Sequence, residues 1–443
     1  METAVETTAP AARAEQVRIA GLVAVIVGLG LAAWPAGELW VVLAGLSLAV
    51  GVGAPLLVVG HERVARALLP AAVVLVVAIG AWAPHARATG GGTARDRNHD
   101  GGVYVTREAA RLALHGEDPY TARYAAVLPE SWARVQGADG RRVANPVIDH
   151  EPYLPLSFLV QAPFVLVADA VGATWDPRIL AWAALAALAV ALARRPGSAA
   201  ARLGAVLVAG NAFTFTYLAW GTNDSLAACA FLASLLLARR RPGWAGAALA
   251  VAISCKFLFL VAVPPLLVVV LARQGWAGVK RWWTAPALLA ATCLPFLAWS
   301  PRAFVDDVLW FNLGKTKPLM PTSGLGLPAV APGAFHGLLL GLATLAGLAI
   351  AFGLVPWLAH RLRSLAWVGP LTALGLLGLL VPARTFQWNY LVLVVAAAAS
   401  GWWALDGADD LAAAPDGAPG GVPTARAAVP AGRLPEPVAD PAT

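Results

Sequence analysis

Long apolar runs without charge recur along most of the chain and set its basic architecture. Runs of about spanning length lie near residues 17–34, 39–59, 66–83, 178–193, 203–219, 223–238, 281–299, 334–358, 364–381 and 388–405. A helix formed by such a run can cross the hydrocarbon core of a bilayer. The pattern predicts an all-α, polytopic membrane helical bundle over residues 17–405, with about ten to twelve spans.

Two segments depart from this regular pattern. The apolar run 154–171 has polar residues expected outside the cell on both sides, so we predict a re-entrant or interfacial helix there. The run 244–271 is predicted to form two half-length helices hinged near Cys255 and Lys256, because a continuous span would place the basic residues that follow it outside. Lys256 then lies in the external half of the bundle, where a charge needs a partner or a water-filled cavity.

Basic clusters between the runs orient the chain. They lie at residues 61–66, 194–202, 239–241, 273–281 and 360–363. The positive-inside rule places them in the cytoplasm together with both tails, residues 1–16 and 406–443. The second tail is rich in Ala, Pro and Gly, has no periodic apolar face, and is expected to be disordered.

Composition agrees with a membrane protein and excludes a soluble one. The chain is 59% hydrophobic and 13% charged, whereas a globular domain is about a quarter charged. Its net charge of +7 comes from loop clusters, so no nucleic-acid partner is implied. The abundance of Ala, Gly, Pro and Arg favours a bacterium with a GC-rich genome, and we expect a multi-pass protein of the bacterial plasma membrane. The three cysteines have no metal-binding spacing.

Acidic residues concentrate in one predicted external loop, residues 84–153. Within it, residues 104–115 have the periodicity of an amphipathic helix, with Gly116 as its stop. Most of these acids are expected to be solvated loop residues. Asp100 is the exception, because it lies in a Gly-containing turn directly before the interfacial helix; Asp96 is its nearby rival.

Three further polar patterns lie at the predicted external ends of spans. Tyr120 and Tyr153 stand in Pro-rich corners, where they are either site residues or interfacial anchors. Residues 220–225 form a polar knot in which Asp224 either serves a site or caps the next helix. In residues 381–390, Arg384 either grips a phosphate or extends to the lipid headgroups.

Taken in order, these pieces resemble the polyprenol-phosphate-sugar-dependent glycosyltransferases of the glycosyltransferase C superfamily, most closely the mannosyltransferase-like family 87. The resemblance covers roughly residues 66–405. It rests on Asp100-Gly-Gly-Val-Tyr104, Leu114-His-Gly-Glu-Asp-Pro-Tyr120, Pro152-Tyr-Leu-Pro155, Gly221-Thr-Asn-Asp224, the break at Lys256, and residues 382–390. The chain departs from the family pattern in having two predicted spans before the one that leads into the acidic loop.

The resemblance implies an inverting glycosyl transfer on the external face, with the large first loop carrying the site. A sugar, mannose by family analogy, would pass from a polyprenyl phosphate donor to a lipid-linked or cell-envelope glycan. Asp100 would be the general base, with Asp96 as the alternative. Lys256, Arg384 and Arg107 would bind the donor phosphate, with Lys315 and Lys317 behind them. Tyr104, Tyr120, Tyr153, Asn223, Asp224 and Trp388 are the predicted substrate-binding residues.

The resemblance also carries expectations about cofactors and moving parts. A donor with a single phosphate does not obviously require a metal, so no cofactor and no obligatory metal are predicted. The lipid tail would enter between helices, and the external loop 301–332 would close over the site.

The competing hypothesis is a multi-spanning transporter or lipid flippase without transferase activity. Transporters often show inverted repeats with broken helices in matching halves. The sequence has one broken segment and no detectable repeat between its halves. A third possibility is an inactive scaffold that keeps the fold without needing Asp100.

Overall fold

The computed structural model describes residues 62–89, 101–128, 130–136, 140–195, 197–316 and 320–404. The predicted spans 17–34 and 39–59, both tails, Lys317, and the two candidate bases Asp96 and Asp100 lie outside the described residues.

The described chain is mostly helical, as predicted. Its α-helices are α1 (Glu62–Thr89), α2 (Gly102–Leu114), α3 (Leu156–Leu159), α4 (Ala162–Ala170), α5 (Arg178–Arg194), α6 (Ala199–Ala209), α7 (Ala212–Trp220), α8 (Asn223–Leu237), α9 (Pro242–Cys255), α10 (Val263–Lys280), α11 (Thr284–Trp299), α12 (Pro301–Val305), α13 (Leu327–Val330), α14 (Gly337–Ala349), α15 (Val355–Leu362), α16 (Val368–Leu380) and α17 (Tyr390–Ala404). Single π-helical stretches, residues 306–311 and 350–354, continue α12 and α14.

Two small sheets complete the described secondary structure. An antiparallel pair joins β1 (Arg134–Gln136) to β2 (Arg142–Ala144). A parallel pair joins β3 (Ser323–Gly324) to β4 (Thr385–Phe386).

Four helical segments among the described residues are long and apolar enough to cross a membrane: Glu62–Arg87, Ala199–Trp220, Phe257–Lys280 and Gly337–Leu362. Other apolar helices among the described residues, such as Asn223–Leu237 and Thr284–Trp299, are shorter. At 1.5 Å per residue a helix of 15 residues, such as α8, is only about 22 Å long. The structure therefore supports a helical membrane protein, and the larger number of spans stays a prediction.

The predicted break in the run 244–271 is present, but the second half-helix is not short. Helix α9 ends at Cys255, Lys256 has extended backbone angles, and a 3₁₀ turn, Phe257–Ala262, leads into α10. The segment Phe257–Lys280 has 24 residues, so the second part is longer than the predicted half-length helix. It is not one continuous helix, because Gly275 has non-helical backbone angles of φ 61° and ψ −162°. Proline lacks an N–H group and is tolerated in the first turn of α10, where the backbone N–H groups have no partner within the helix.

The run 154–171 forms two short helices instead of one. With 4 and 9 residues, α3 and α4 are too short to cross a bilayer. Leu166 and Val167 on α4 are largely exposed. An exposed apolar face on a short helix fits the predicted interfacial or re-entrant position.

The amphipathic helix of the acidic loop is α2, which begins two residues before its predicted start. Val105, Ala109 and Leu112 are buried as predicted. Arg111 lies on the more accessible side and forms a bidentate pair with Glu108. Helix α1 continues through Pro84 to Thr89, so the first residues of the predicted external segment 84–153 are helical.

Candidate functional site

A buried ion pair lies where three helical segments end. The Lys256 Nζ is 3.0 Å from the Asp224 Oδ1, and the side chains are 10% and 1% exposed. The second carboxylate oxygen of Asp224 accepts a hydrogen bond of 2.6 Å from the Asn389 amide. The Lys256 ammonium, the Asp224 carboxylate and the neutral Asn389 amide are therefore buried together.

Local sequence explains why these groups meet. Asp224 lies in the first turn of α8, where the helix dipole favours an anion. Lys256 is the break residue after α9, and Asn389 directly precedes α17. The alternative role of Asp224 as a helix cap is wrong, because α8 begins at Asn223 and the carboxylate turns to Lys256 instead.

Two tyrosine rings flank the cation. The Lys256 Nζ lies 4.5 Å from the ring centroid of Tyr390 and 5.6 Å from that of Tyr153. Aromatic faces attract cations at these distances. We call the set Lys256, Asp224, Asn389, Tyr153 and Tyr390 the Lys256 junction.

The first loop is attached to this junction through its two Pro/Tyr corners. The Tyr120 hydroxyl donates to the Tyr153 carbonyl at 2.8 Å, and the Leu154 amide donates to the Ser254 carbonyl at 3.2 Å. Tyr120 is only 3% exposed, so the interfacial-anchor interpretation is wrong for this residue. Burial raises the pKa of its hydroxyl well above the ordinary value, which keeps the hydroxyl a neutral donor.

The start of α2 packs beside the same helix end. The Asn223 amide donates to the Thr106 hydroxyl at 3.2 Å. Gly221 has a positive φ of 77°, and a side chain there would clash with Val103. Glycine has no Cβ, so it adopts the positive φ without strain and leaves room for Val103. The α7–α8 turn can therefore pack closely against the first turn of α2. Asp100 is one residue before Gly101 in the sequence.

The remaining predicted residues lie at different places. Arg107 stacks over Tyr104 on its own helix, with 5.7 Å from guanidinium carbon to ring centroid. Trp388 is half-buried against the core. Arg384 is exposed, and its Cδ lies near Gly314 in the loop after α12. The recorded partners of the three proposed phosphate ligands differ: Lys256 pairs with Asp224, Arg107 stacks on Tyr104, and Arg384 lies near Gly314.

A second polar cluster was not predicted from the sequence. The His150 Nδ1 lies 2.6 Å from the Asp307 Oδ1, and the Glu151 backbone amide donates to the Asp307 Oδ2 at 2.7 Å. Glu151 is completely buried. The available signal was the pair Asp306-Asp307 within an otherwise apolar and aromatic stretch, residues 303–311.

The carboxyl groups of this cluster are displaced toward the neutral form. Burial raises the pKa of Glu151 well above its usual range; the nearby Asp307 raises it further, while the Tyr153 amide acts in the opposite direction. Burial also raises the pKa of Asp307, and the hydrogen bonds from His150 and the Glu151 amide partly offset this. The region thus favours a protonated Glu151 beside a hydrogen-bonded Asp307.

A cleft of about 450 Å³ opens beside this cluster. It is lined by His150, Asp306, Trp310, Lys315 and Thr316, which we call the His150 cleft. The Lys315 Nζ lies 4.8 Å from the Trp310 ring centroid. The wall therefore offers an aromatic ring, one cation, one carboxylate, a hydroxyl and an imidazole.

The loop 301–332, expected to close over the site, is fastened at both of its described ends. The Asn312 amide donates to the Pro152 carbonyl at 3.0 Å, and Ser300 hydrogen-bonds Asp118. Farther along, the Ser323 amide donates to the Arg384 carbonyl at 3.0 Å as part of the β3–β4 pair.

No group of three or more His, Cys, Asp or Glu side chains that could hold a metal is found within residues 62–404 as described. Comparison with protein-family models, curated proteins and solved structures finds no match to this chain.

Proposed function

We propose that this protein is an extracytoplasmic inverting glycosyltransferase that moves a sugar from a polyprenyl phosphate to a hydroxyl of a lipid-linked or cell-envelope glycan. The Lys256 junction carries the proposal. It unites segments that are far apart in the chain, namely the corner at Tyr153, the start of α8, the helix break and the segment before α17. An ionisable group at a helix break in an apolar bundle is by default a functional residue.

The proposed chemistry assigns one task to each side of the junction. An acceptor hydroxyl attacks the anomeric carbon while its proton passes to the Asp100 carboxylate. The bond from this carbon to the phosphate oxygen breaks, and polyprenyl phosphate leaves with the electron pair. Lys256 would share its charge between Asp224 and that phosphate, since an ammonium has three donors. The sugar stereochemistry inverts because attack and departure occur on opposite faces.

Placement of α2 supports Asp100 as the base. Asp100 joins the chain directly at Gly101, and the first turn of α2 packs against Gly221 and Asn223. Asn223 is adjacent to Asp224 of the junction. The proposed base is therefore tied through only a few residues to the proposed phosphate-binding cation.

The test is sugar transfer in membranes that contain the full-length protein, with radiolabelled polyprenyl phosphate mannose and then arabinose as donors. Wild type should transfer label to a lipid or glycan acceptor. Asp100→Asn should lower the rate by about 10²–10⁴-fold, the usual contribution of a general base. Asp96→Asn is the matched control and should retain activity; the reverse result would move the base to Asp96.

The alternative, a transporter or flippase, is favoured by the same break at Lys256, because transporters use interrupted helices around ionisable residues. Reconstitution into vesicles with a fluorescent polyprenyl phosphate separates the two functions. Absence of transfer from every donor, together with protein-dependent movement of the lipid between leaflets, would replace the transferase proposal with this one.

A further inference from the structure

We infer that the His150 cleft is a binding subsite for a neutral carbohydrate, and that it holds the glycan acceptor. The assignment of acceptor rests on the proposed transferase function, whereas carbohydrate binding does not. The cleft is built from the corner at His150 and the segment 306–316, whose first six residues are the π-helical continuation of α12. None of its lining residues belongs to the Lys256 junction.

The hydrogen-bonding groups of the cleft suit a polyol. A sugar hydroxyl both donates and accepts, so it needs walls with both kinds of partner. Lys315 and Thr316 supply donors, while Asp306 supplies a carboxylate acceptor. Trp310 adds an aromatic ring of the kind against which the apolar face of a pyranose packs.

His150 is held in one orientation by Asp307. The His150 Nδ1 lies 2.6 Å from the Asp307 Oδ1, and the Glu151 amide holds the second oxygen of the same carboxylate. The His150 Nε2 is enclosed and has no hydrogen-bond partner within the described part of the chain. A buried ring nitrogen without a partner is costly, and a sugar hydroxyl, which can donate or accept, would remove that cost after a small shift of the imidazole.

Charge decides between a neutral sugar and an anion. Asp306 lies in the wall and Asp307 directly behind His150, so a phosphate in the cleft would face two carboxylates. The cations near them are Lys315 in the wall and the exposed Arg302, which lies 3.8 Å from Asp306. Lys315 is already over the Trp310 ring. The cleft therefore favours a neutral polyol over a phosphate, and the donor phosphate belongs elsewhere.

The test measures binding directly, without turnover. Full-length protein in nanodiscs is titrated with methyl glycosides of mannose, glucose, galactose and arabinose, and saturation-transfer NMR reports the bound sugar. At least one glycoside should bind saturably. Trp310→Ala should weaken its Kd about tenfold, as expected when an aromatic contact of about 1.4 kcal/mol is lost. Lys315→Gln should weaken it by a smaller factor.

Two variants serve as controls. Trp276→Ala removes an exposed tryptophan from α10 and should leave the Kd unchanged. Trp310→Phe keeps an aromatic ring and should retain most of the affinity, which separates loss of the contact from misfolding. Since Lys315 is exposed, Lys315→Gln should fold normally and gives a second independent readout.

The outcomes separate this inference from the transferase proposal. Binding that depends on Trp310 and Lys315 in a protein without transfer supports the subsite and rejects the transferase. Transfer by wild type together with glycoside binding that neither variant weakens overturns the subsite and leaves the transferase intact. Absence of binding by every glycoside, or its competitive displacement by inorganic phosphate, also overturns the subsite.

Discussion

The Lys256 junction and the His150 cleft are both built from acid–base pairs whose partners are distant in the chain, but their surroundings differ. At the junction both charged side chains are at most 10% exposed and lie at helix ends. At the cleft Lys315 is exposed, and the supporting residues come from a corner of the first loop and from the short π-helical stretch 306–311. The comparison indicates that the junction is fixed by the bundle, whereas the cleft can exchange its contacts with a ligand.

The strongest test of this difference is Asp224→Ala, which would leave Lys256 buried without its anion. Removing one partner of a buried pair costs about 3–5 kcal/mol. We expect a loss of this size in the free energy of unfolding measured by chemical denaturation in detergent. Replacing both residues, by Asp224→Leu with Lys256→Met, should restore most of it, because an apolar pair has no unpaired charge. An unchanged free energy in Asp224→Ala would mean that the pair is open to water.

The next largest change in the free energy of unfolding is expected for Asp307→Ala. The substitution removes the acceptor for both the His150 Nδ1 and the Glu151 amide. Leaving two buried donors unpaired should cost about 2–3 kcal/mol in the same unfolding measurement. The neighbouring Asp306→Ala is the matched control. Within the described part of the chain, Asp306 pairs only with the exposed Arg302, at 3.8 Å, so the effect of its removal should stay within about 0.5 kcal/mol.

Glu151→Gln tests the buried carboxyl group of Glu151, whose pKa is raised by burial and by the nearby Asp307. Because the folded-state pKa of Glu151 is raised, folded protein holds a proton that unfolded protein has released at any pH between the two pKa values. Wild type should therefore lose stability as pH rises above about 4.3, by at most about 1.4 kcal/mol per pH unit. The variant lacks this contribution, so its advantage in Tm should grow from pH 5 to pH 8. Exposed Glu130→Gln should show no such trend.

The smallest effect on stability is expected for Arg384→Gln. Arg384 is exposed, so the free energy of unfolding should change by no more than about 0.5 kcal/mol. If the guanidinium binds the donor phosphate, the KM for the donor should rise about tenfold while the KM for the acceptor stays constant. A rise in the acceptor KM instead would connect Arg384 to the neighbouring loop of the cleft.

Periodicity and charge were sufficient to predict the helical class, the amphipathic helix α2 and the break at Lys256. These features are local, since each is determined by residues a few positions apart. Helix length was less predictable: the continuation of α1 beyond Pro84 and of α10 to its kink at Gly275 depends on packing that no short window contains.

The residues of the candidate site also fall into those that local sequence could predict and those that depend on tertiary structure. Residues at span ends, such as Lys256 and Asp224, could be nominated from sequence because a charge in an apolar setting is conspicuous. Their pairing could not, and neither could the contact of Asp307 with His150, since 157 residues separate them. Glu151 looked like any other acid of the loop, because its burial is produced entirely by tertiary structure.

The Asn389 contact has a consequence for the order in which the protein is made. Asn389 reaches Asp224 from 165 residues later in the chain, and β4 pairs with β3 only once residues 385–386 have been synthesised. Ribosomes deliver these segments after most of the described helices. Asp224 and Lys256 can meet as soon as α9 is complete, but the Asn389 amide and strand β4 are made only just before α17, the last helix of the described residues. The Lys256 junction can therefore be complete only after the described helices that precede α17 have been synthesised.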